Sequence, residues 1–340
     1  MDERERAEIE DRLRRQIEAY HEAALLFTAV TCGLPDLMAL SGPATPETLA
    51  AELGLQPSPL RRVLRGLATM RLCEELDDGR FALTPAGRIL TAGSGSSLRE
   101  KAFVVAGQYW LPWLSLAHCL ETGAPSFPVV FGSTLSDWRT ANPEEGALFY
   151  RYLAKEELAG AGDLMQAFDA FASGTIASIG GGYGGFLLPL LLGQADVKAI
   201  VFDAQDVVEA AGPLFEAYGV TDRVRFVSGE LLKDIPVEAD IYVLKSVLQR
   251  HGDDEARTIL ENCRKAMKPG RRLIVYERLM PEKATDDPAA ILLDLHMMAI
   301  TGGRARTEEE MQTLIESAGL GIGKASKTAG GLAVIEAFPR

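Results

Sequence analysis

Beyond Thr175 short apolar runs alternate with helical stretches, and this alternation limits the possible folds more than any other feature of the chain. The runs fall at 176–179, 199–202, 224–227, 241–244 and 273–276. Such a pattern predicts βαβ units and a parallel sheet buried on both faces, an α/β doubly wound architecture. Two further strand-like runs between 321 and 338, parted around Ala329-Gly330-Gly331, predict a closing antiparallel hairpin.

At 340 residues the chain has room for a second domain before this one. From Glu3 to about Cys32, Ile9, Leu13, Ile17, Tyr20, Ala24 and Phe27 recur at helical steps, predicting one or two amphipathic helices that want a partner surface. Thr45-Pro46-Glu47 opens a helix ending near Gly54, Pro57-Ser58-Pro59 opens another to about Met70, and a hairpin follows around Asp77-Asp78-Gly79. Together they predict a helical, winged-helix-like domain over 1–98. Residues 99–172 read as helical throughout and rich in aromatics, most of them core and some available to line a pocket. The sheet domain is expected over 173–340.

Arg61, Arg62 and Arg65 on the second helix of the winged region could face DNA. A formal charge of −13 argues against phosphate-covering as the main task and favours a solvated or subunit-facing helix, with a small-molecule ligand and no nucleic acid. The four cysteines stand far apart with no CxxC pair, as expected of reduced thiols in a cytoplasm. No apolar run approaches the roughly 20 residues of a membrane helix.

The sharpest local feature is Gly180-Gly181-Gly182-Tyr183-Gly184-Gly185, directly after the first predicted strand and before a helix starting near Phe186. Glycines there allow a tight turn and close approach of a ligand to the free N–H groups of a helix start. A nucleotide-type ligand is implied, although the run satisfies both GxGxG and GxGxxG. Asp203 ends the next strand, where a carboxylate can accept hydrogen bonds from both ribose hydroxyls, and Glu230 follows the third, in reach of an adenosine edge.

The glycine run, Val201-Phe202-Asp203, Leu244-Lys245-Ser246-Val247-Leu248, Gly252-Asp253-Asp254-Glu255-Ala256, Glu277-Arg278 and Thr301-Gly302-Gly303-Arg304 resemble the small-molecule O-methyltransferases of the caffeate and polyketide-tailoring type. The resemblance spans nearly the whole chain. It implies a Rossmann-like catalytic domain dependent on S-adenosylmethionine (SAM), a winged-helix-like N-terminal dimerisation domain, a homodimer, and SAM held by Gly180, Gly182, Asp203, Glu230 and Lys245. It also exposes departures. Where that family has His-Asp-Trp after the fourth strand, with the histidine as general base, this chain has Gln249, Arg250 and His251. Glutamine cannot act as a base near neutral pH. A familiar glutamate is Ala305, a first-strand aspartate is Ser178, and the other supporting acid is kept as Glu277.

His251, Glu277 and His296 all fall at the expected catalytic edge, and two imidazoles with a carboxylate suit a divalent metal, Zn²⁺ or Fe²⁺. On this expectation the metal binds a 2-oxo acid, Arg304 or Arg250 assists its carboxylate, and the β-carbon of the enolate takes the methyl group. Gln249, His251, Glu277 and Arg304 would then be the catalytic set. Three alternatives compete: an O- or N-methyltransferase whose acceptor needs no histidine base, a SAM-binding protein that does not methylate, and a DNA-binding regulator.

Overall fold

The computed structural model describes residues 1–96, 98–160, 173–328 and 330–340, in two compact units, Met1–Gly107 and Gln108–Arg340. The division falls nine residues beyond the expected boundary at 98 because α7 (Leu98–Val104) buries Ala102 and Val104 and packs on α2 (Tyr20–Thr31).

The first unit opens with α1 (Glu3–Glu18), capped by Asp2, whose carboxylate accepts the Glu5 N–H. The predicted arm breaks into two helices at Ala19. Then come α3 (Leu34–Ser41), α4 (Pro46–Leu53) and α5 (Pro57–Thr69), a hairpin of β1 (Cys73–Glu75) with β2 (Phe81–Leu83), and the short α6 (Pro85–Arg88). Leu60, Leu64 and Leu67 of α5 recur at helical spacing and pack with Leu34, Met38, Leu49 and Phe81. On the outer face Arg61 pairs with Glu47 and Arg65 with Glu75. No residue of α1 is buried, and Ile17 and Tyr20 are 74% and 54% exposed.

The second unit begins with α8 (Trp110–Leu114), α9 (Leu116–Thr122), α10 (Phe127–Phe131), α11 (Leu135–Ala141) and α12 (Pro143–Ala159). The rest of the stretch expected to be helical, 161–172, lies outside the described residues. The sheet follows: β3 (Ser173–Ile179), α13 (Leu187–Gly193), β4 (Asp196–Asp203), α14 (Gln205–Glu216), β5 (Val224–Ser228), β6 (Ile241–Lys245), α15 (Asp253–Ala266), β7 (Arg272–Glu277), α16 (Pro288–Ile300), α17 (Glu308–Ser317), β8 (Leu320–Lys327) and β9 (Ala333–Pro339). Its seven strands run β5-β4-β3-β6-β7-β9-β8, five parallel and the terminal hairpin antiparallel.

Both faces are covered. Ala177, Ile179, Tyr242, Leu244 and Val275 meet α15 and α17, while Ile176, Val201, Val243 and Ile274 meet α13 and α14. Burial on both sides explains why the strands read as continuous apolar runs. Strand order reverses between β3 and β6, and the carboxyl ends of such a switch point form the crevice where ligands of doubly wound sheets bind.

Candidate functional site

Gly180, Gly182 and Gly184 all have positive φ, near 70°, so the loop after β3 takes a path that L side chains resist. Close approach is equally restrictive. A Cβ on Gly180 would lie 2.7 Å from Leu231, one on Gly182 3.0 Å from the Tyr150 ring, and one on Gly185 2.9 Å from the backbone of Ala154. Two turns of α12 therefore rest on the glycine loop. At the end of β4, Asp203 takes the Gly182 N–H on one oxygen and the Ala204 N–H on the other, both at 2.8 Å. Burial raises its pKa, opposed by the nearby charge of Arg250.

Across the switch point, Ser246 leaves β6 with φ 55, an uncommon conformation for a non-glycine residue. The following 3₁₀ turn, Leu248–Arg250, is fixed from two sides. Glu277, at the end of β7 and 1% exposed, accepts the Leu248 N–H at 2.8 Å and the Gln249 N–H at 3.4 Å on Oε1. Arg306 donates to the carbonyls of Leu248 and His251 and to Asp253. Burial pushes the Glu277 carboxyl up to about 7. The side chain of Gln249 is buried, with Oε1 unpartnered among the described residues. Arg250 reaches back to the Gly180 carbonyl, joining the two loops.

The expected metal ligands do not converge. His251 Nδ1 is bound to Glu255 at 2.8 Å, four residues along on α15. The His296 Nδ1 accepts the Trp113 indole N–H at 2.9 Å, and its ring stands edge-on to Tyr109. That imidazole is held down to a pKa of about 4 by burial and by Arg139. Glu277 spends Oε1 on backbone amides, and among the described residues no group of three His, Cys, Asp or Glu side chains is placed to hold an ion. The donor set does not fit a facial triad.

Three other expected positions are tied elsewhere. Lys245 forms a 2.9 Å ion pair with Glu157 of α12, in which both side chains are largely buried. Glu230 points outward to Lys233, and Arg304 pairs with Asp253 and with Glu310 of the capping box that opens α17. Conversely, Arg306, Tyr150 and Glu157 shape the site without having been singled out. Tyr150, Leu153, Ala154 and Glu157 share one helical face, a spacing visible in the sequence; nothing local announces what that face covers. A cavity of about 450 Å³ lies at the opposite, amino end of the strands, where Arg271 pairs with Asp240 and the Arg223 guanidinium is bound to backbone carbonyls. Both of these guanidinium groups are already engaged.

The O-methyltransferase domain family matches residues 113–321, and the O-methyltransferase dimerisation domain matches 15–93. A phenazine O-methyltransferase, PhzM of Lysobacter antibioticus, is 32% identical over 96% of this chain and 95% of its own. Among solved structures, mitomycin 7-O-methyltransferase MmcR superposes with a TM-score of 0.91 at 29% identity over the full length of both chains. The O-methyltransferase NcsB1 of neocarzinostatin biosynthesis, in complex with SAM and 2-hydroxy-5-methyl naphthoic acid, does so at 0.80 and 26% identity over 94% of this chain and 96% of its own. These similarities overturn the expectation of C-methylation of a 2-oxo acid, since the relatives are named for methylating aromatic natural products and, among the described residues, none form a ligand set for the metal that would make an enolate. Fold order, glycine loop and similarity over almost the whole length place this chain in the SAM-dependent O-methyltransferase family, among enzymes that carry an N-terminal dimerisation domain.

Proposed function

We propose that the chain, as a cytoplasmic homodimer, transfers the SAM methyl group to an oxygen or nitrogen of a small aromatic acceptor without a histidine base. The carrying observation is the Gln249 side chain, buried in the turn after β6 with its amide oxygen unpartnered. His296 spends the Nδ1 lone pair of its neutral ring on the Trp113 indole N–H, which leaves it no acceptor for a substrate proton. The unpaired thiols suit a reducing compartment, and the exposed apolar stripe of α1 and α2 suits a second subunit.

The residues around the glycine loop fit SAM. Asp203 uses one lone pair of each oxygen on backbone N–H groups, which leaves acceptor capacity for two ribose hydroxyls. Gly180 and Gly182 let the loop turn at positive φ while packed against Leu231 and Tyr150, which fixes the path of its backbone beside Asp203. SAM supplies a sulfonium methyl as electrophile, so the acceptor needs only an available lone pair. Gln249 can accept an O–H or N–H through Oε1 and orient that lone pair. Glu277 and Arg306 hold the Gln249 backbone still.

The test is the pH dependence of methyl transfer from labelled SAM to phenols of graded acidity. The rate break follows the pKa of each acceptor. A break at one fixed pH for every acceptor, whatever its acidity, would reveal a protein base and refute the reading.

A further inference from the structure

Among the described residues Arg250 has no carboxylate partner. Its Nη2 donates to the Gly180 carbonyl and its Nε is buried with no acceptor. Among the described residues it forms no ion pair, whereas other cations on the same edge do: Lys245 with Glu157, Arg304 with Asp253 and Glu310, Arg306 with Asp253. The acids nearest to it in effect, Asp203 and Glu277, are engaged by backbone amides. Its charge nonetheless acts on both, and on the Tyr150 phenol across from the turn.

A guanidinium presents five N–H groups in a rigid plane, and an edge that includes Nε matches the two oxygens of a carboxylate. One N–H used on a peptide carbonyl and another buried unused is an arrangement that an incoming carboxylate completes. Arg250 and Gln249 leave the same 3₁₀ turn at the switch point, and one acceptor that met both would carry its anion close to the atom that Gln249 orients.

We infer that Arg250 binds the carboxylate of an aromatic acid acceptor whose methylated hydroxyl or amine is the ring neighbour of that carboxylate. The inference rests on the methyl-transfer reading above. It also supplies part of what the absent imidazole would do, because a fixed cation beside a phenol favours its ionised form. The phenolic proton leaves to solvent, an oxygen lone pair forms the new O–C bond, and the C–S bond breaks with its electrons going to sulfur. Arg250 takes no proton; it positions the acceptor and sets its charge.

The experiment is calorimetry on full-length protein loaded with S-adenosylhomocysteine (SAH), titrated with ortho-hydroxy aromatic acids of increasing ring number and with their carboxamides. At least one acid is expected to bind about tenfold or more tighter than its own carboxamide. Arg250→Met abolishes that preference and Arg250→Lys restores part of it, each measured with SAH at saturation. Equal binding of acid and amide by the parent, or a preference that survives Arg250→Met, overturns the inference. Failure of the underlying reading has a different signature: the parent protein would transfer no label from SAM to any aromatic oxygen or nitrogen. Methylation without an acid preference sinks only the role of Arg250.

Discussion

Replacing Glu277 with glutamine isolates the energetic consequence of burying an acid under the Gln249 turn. The carboxyl, ordinarily at 4.5, is pushed up to about 7 by burial, and the N–H groups of Leu248 and Gln249 with the charges of Arg250 and Arg306 offset only part of that push. Folded protein thus holds the proton more tightly than unfolded chain. The contribution to stability is complete below about pH 4.5 and is lost as pH rises through about 7. Integrated, the loss is about 1 kcal/mol at pH 5 and about 3 kcal/mol at pH 8. Glu277→Gln keeps a carbonyl acceptor for both amides and does not titrate. The variant should therefore gain about 2 kcal/mol on the parent between pH 5 and pH 8, or about 4–8 °C in relative thermal midpoint for a unit of this size. Thermal unfolding of both proteins across that range checks it. Parallel midpoint curves, or a variant that loses ground at alkaline pH, would refute the argument that burial governs this carboxyl.

Asp203→Ala strips the acceptor from the Gly182 and Ala204 amides and from the ribose, and SAH binding measured by calorimetry should weaken by about tenfold or more; unchanged affinity removes Asp203 from the cradle. Gly185→Ala drives a Cβ to 2.9 Å from Ala154 backbone atoms, which cannot swing aside as a side chain can, and should cost about 1–3 kcal/mol. An unaltered denaturation midpoint would show that α12 does not rest on the loop in solution. Deletion of residues 1–31 removes the α1 and α2 stripe and should turn a dimer into a monomer by light scattering, and a full-length chain that is already monomeric contradicts the role given to that stripe.

Legibility from sequence tracked the range of the interactions. Strands β3 to β7 were visible because a sheet covered on both faces demands continuous apolar runs, and the glycine loop was visible because positive φ selects glycine. The proposed metal site failed because its three members sat on one edge in topology while their hydrogen bonds led elsewhere. The Trp113 partner of His296 is 183 residues away, beyond any local spacing rule. The partner of His251, by contrast, is Glu255, four residues on in the first turn of α15 and close by in the sequence. Arg250 meets Gly180 across 70 residues, a contact that exists only because β3 and β6 are neighbours.

The helix α12 has two ends with different duties. Its later turns bear on the glycine loop through Tyr150, Leu153 and Ala154. Its earlier turns carry Glu145, which accepts from Gln108, and Phe149, whose ring lies 3.4 Å beneath the Arg139 guanidinium that Gln108 and Tyr109 hold. One rod thus spans the cofactor cradle and the layer that flanks His296. Thermodynamic reciprocity sets the consequence: if an acceptor bound against the Arg139 layer shifted this rod, it would change cofactor affinity by the same factor as the cofactor changed its own.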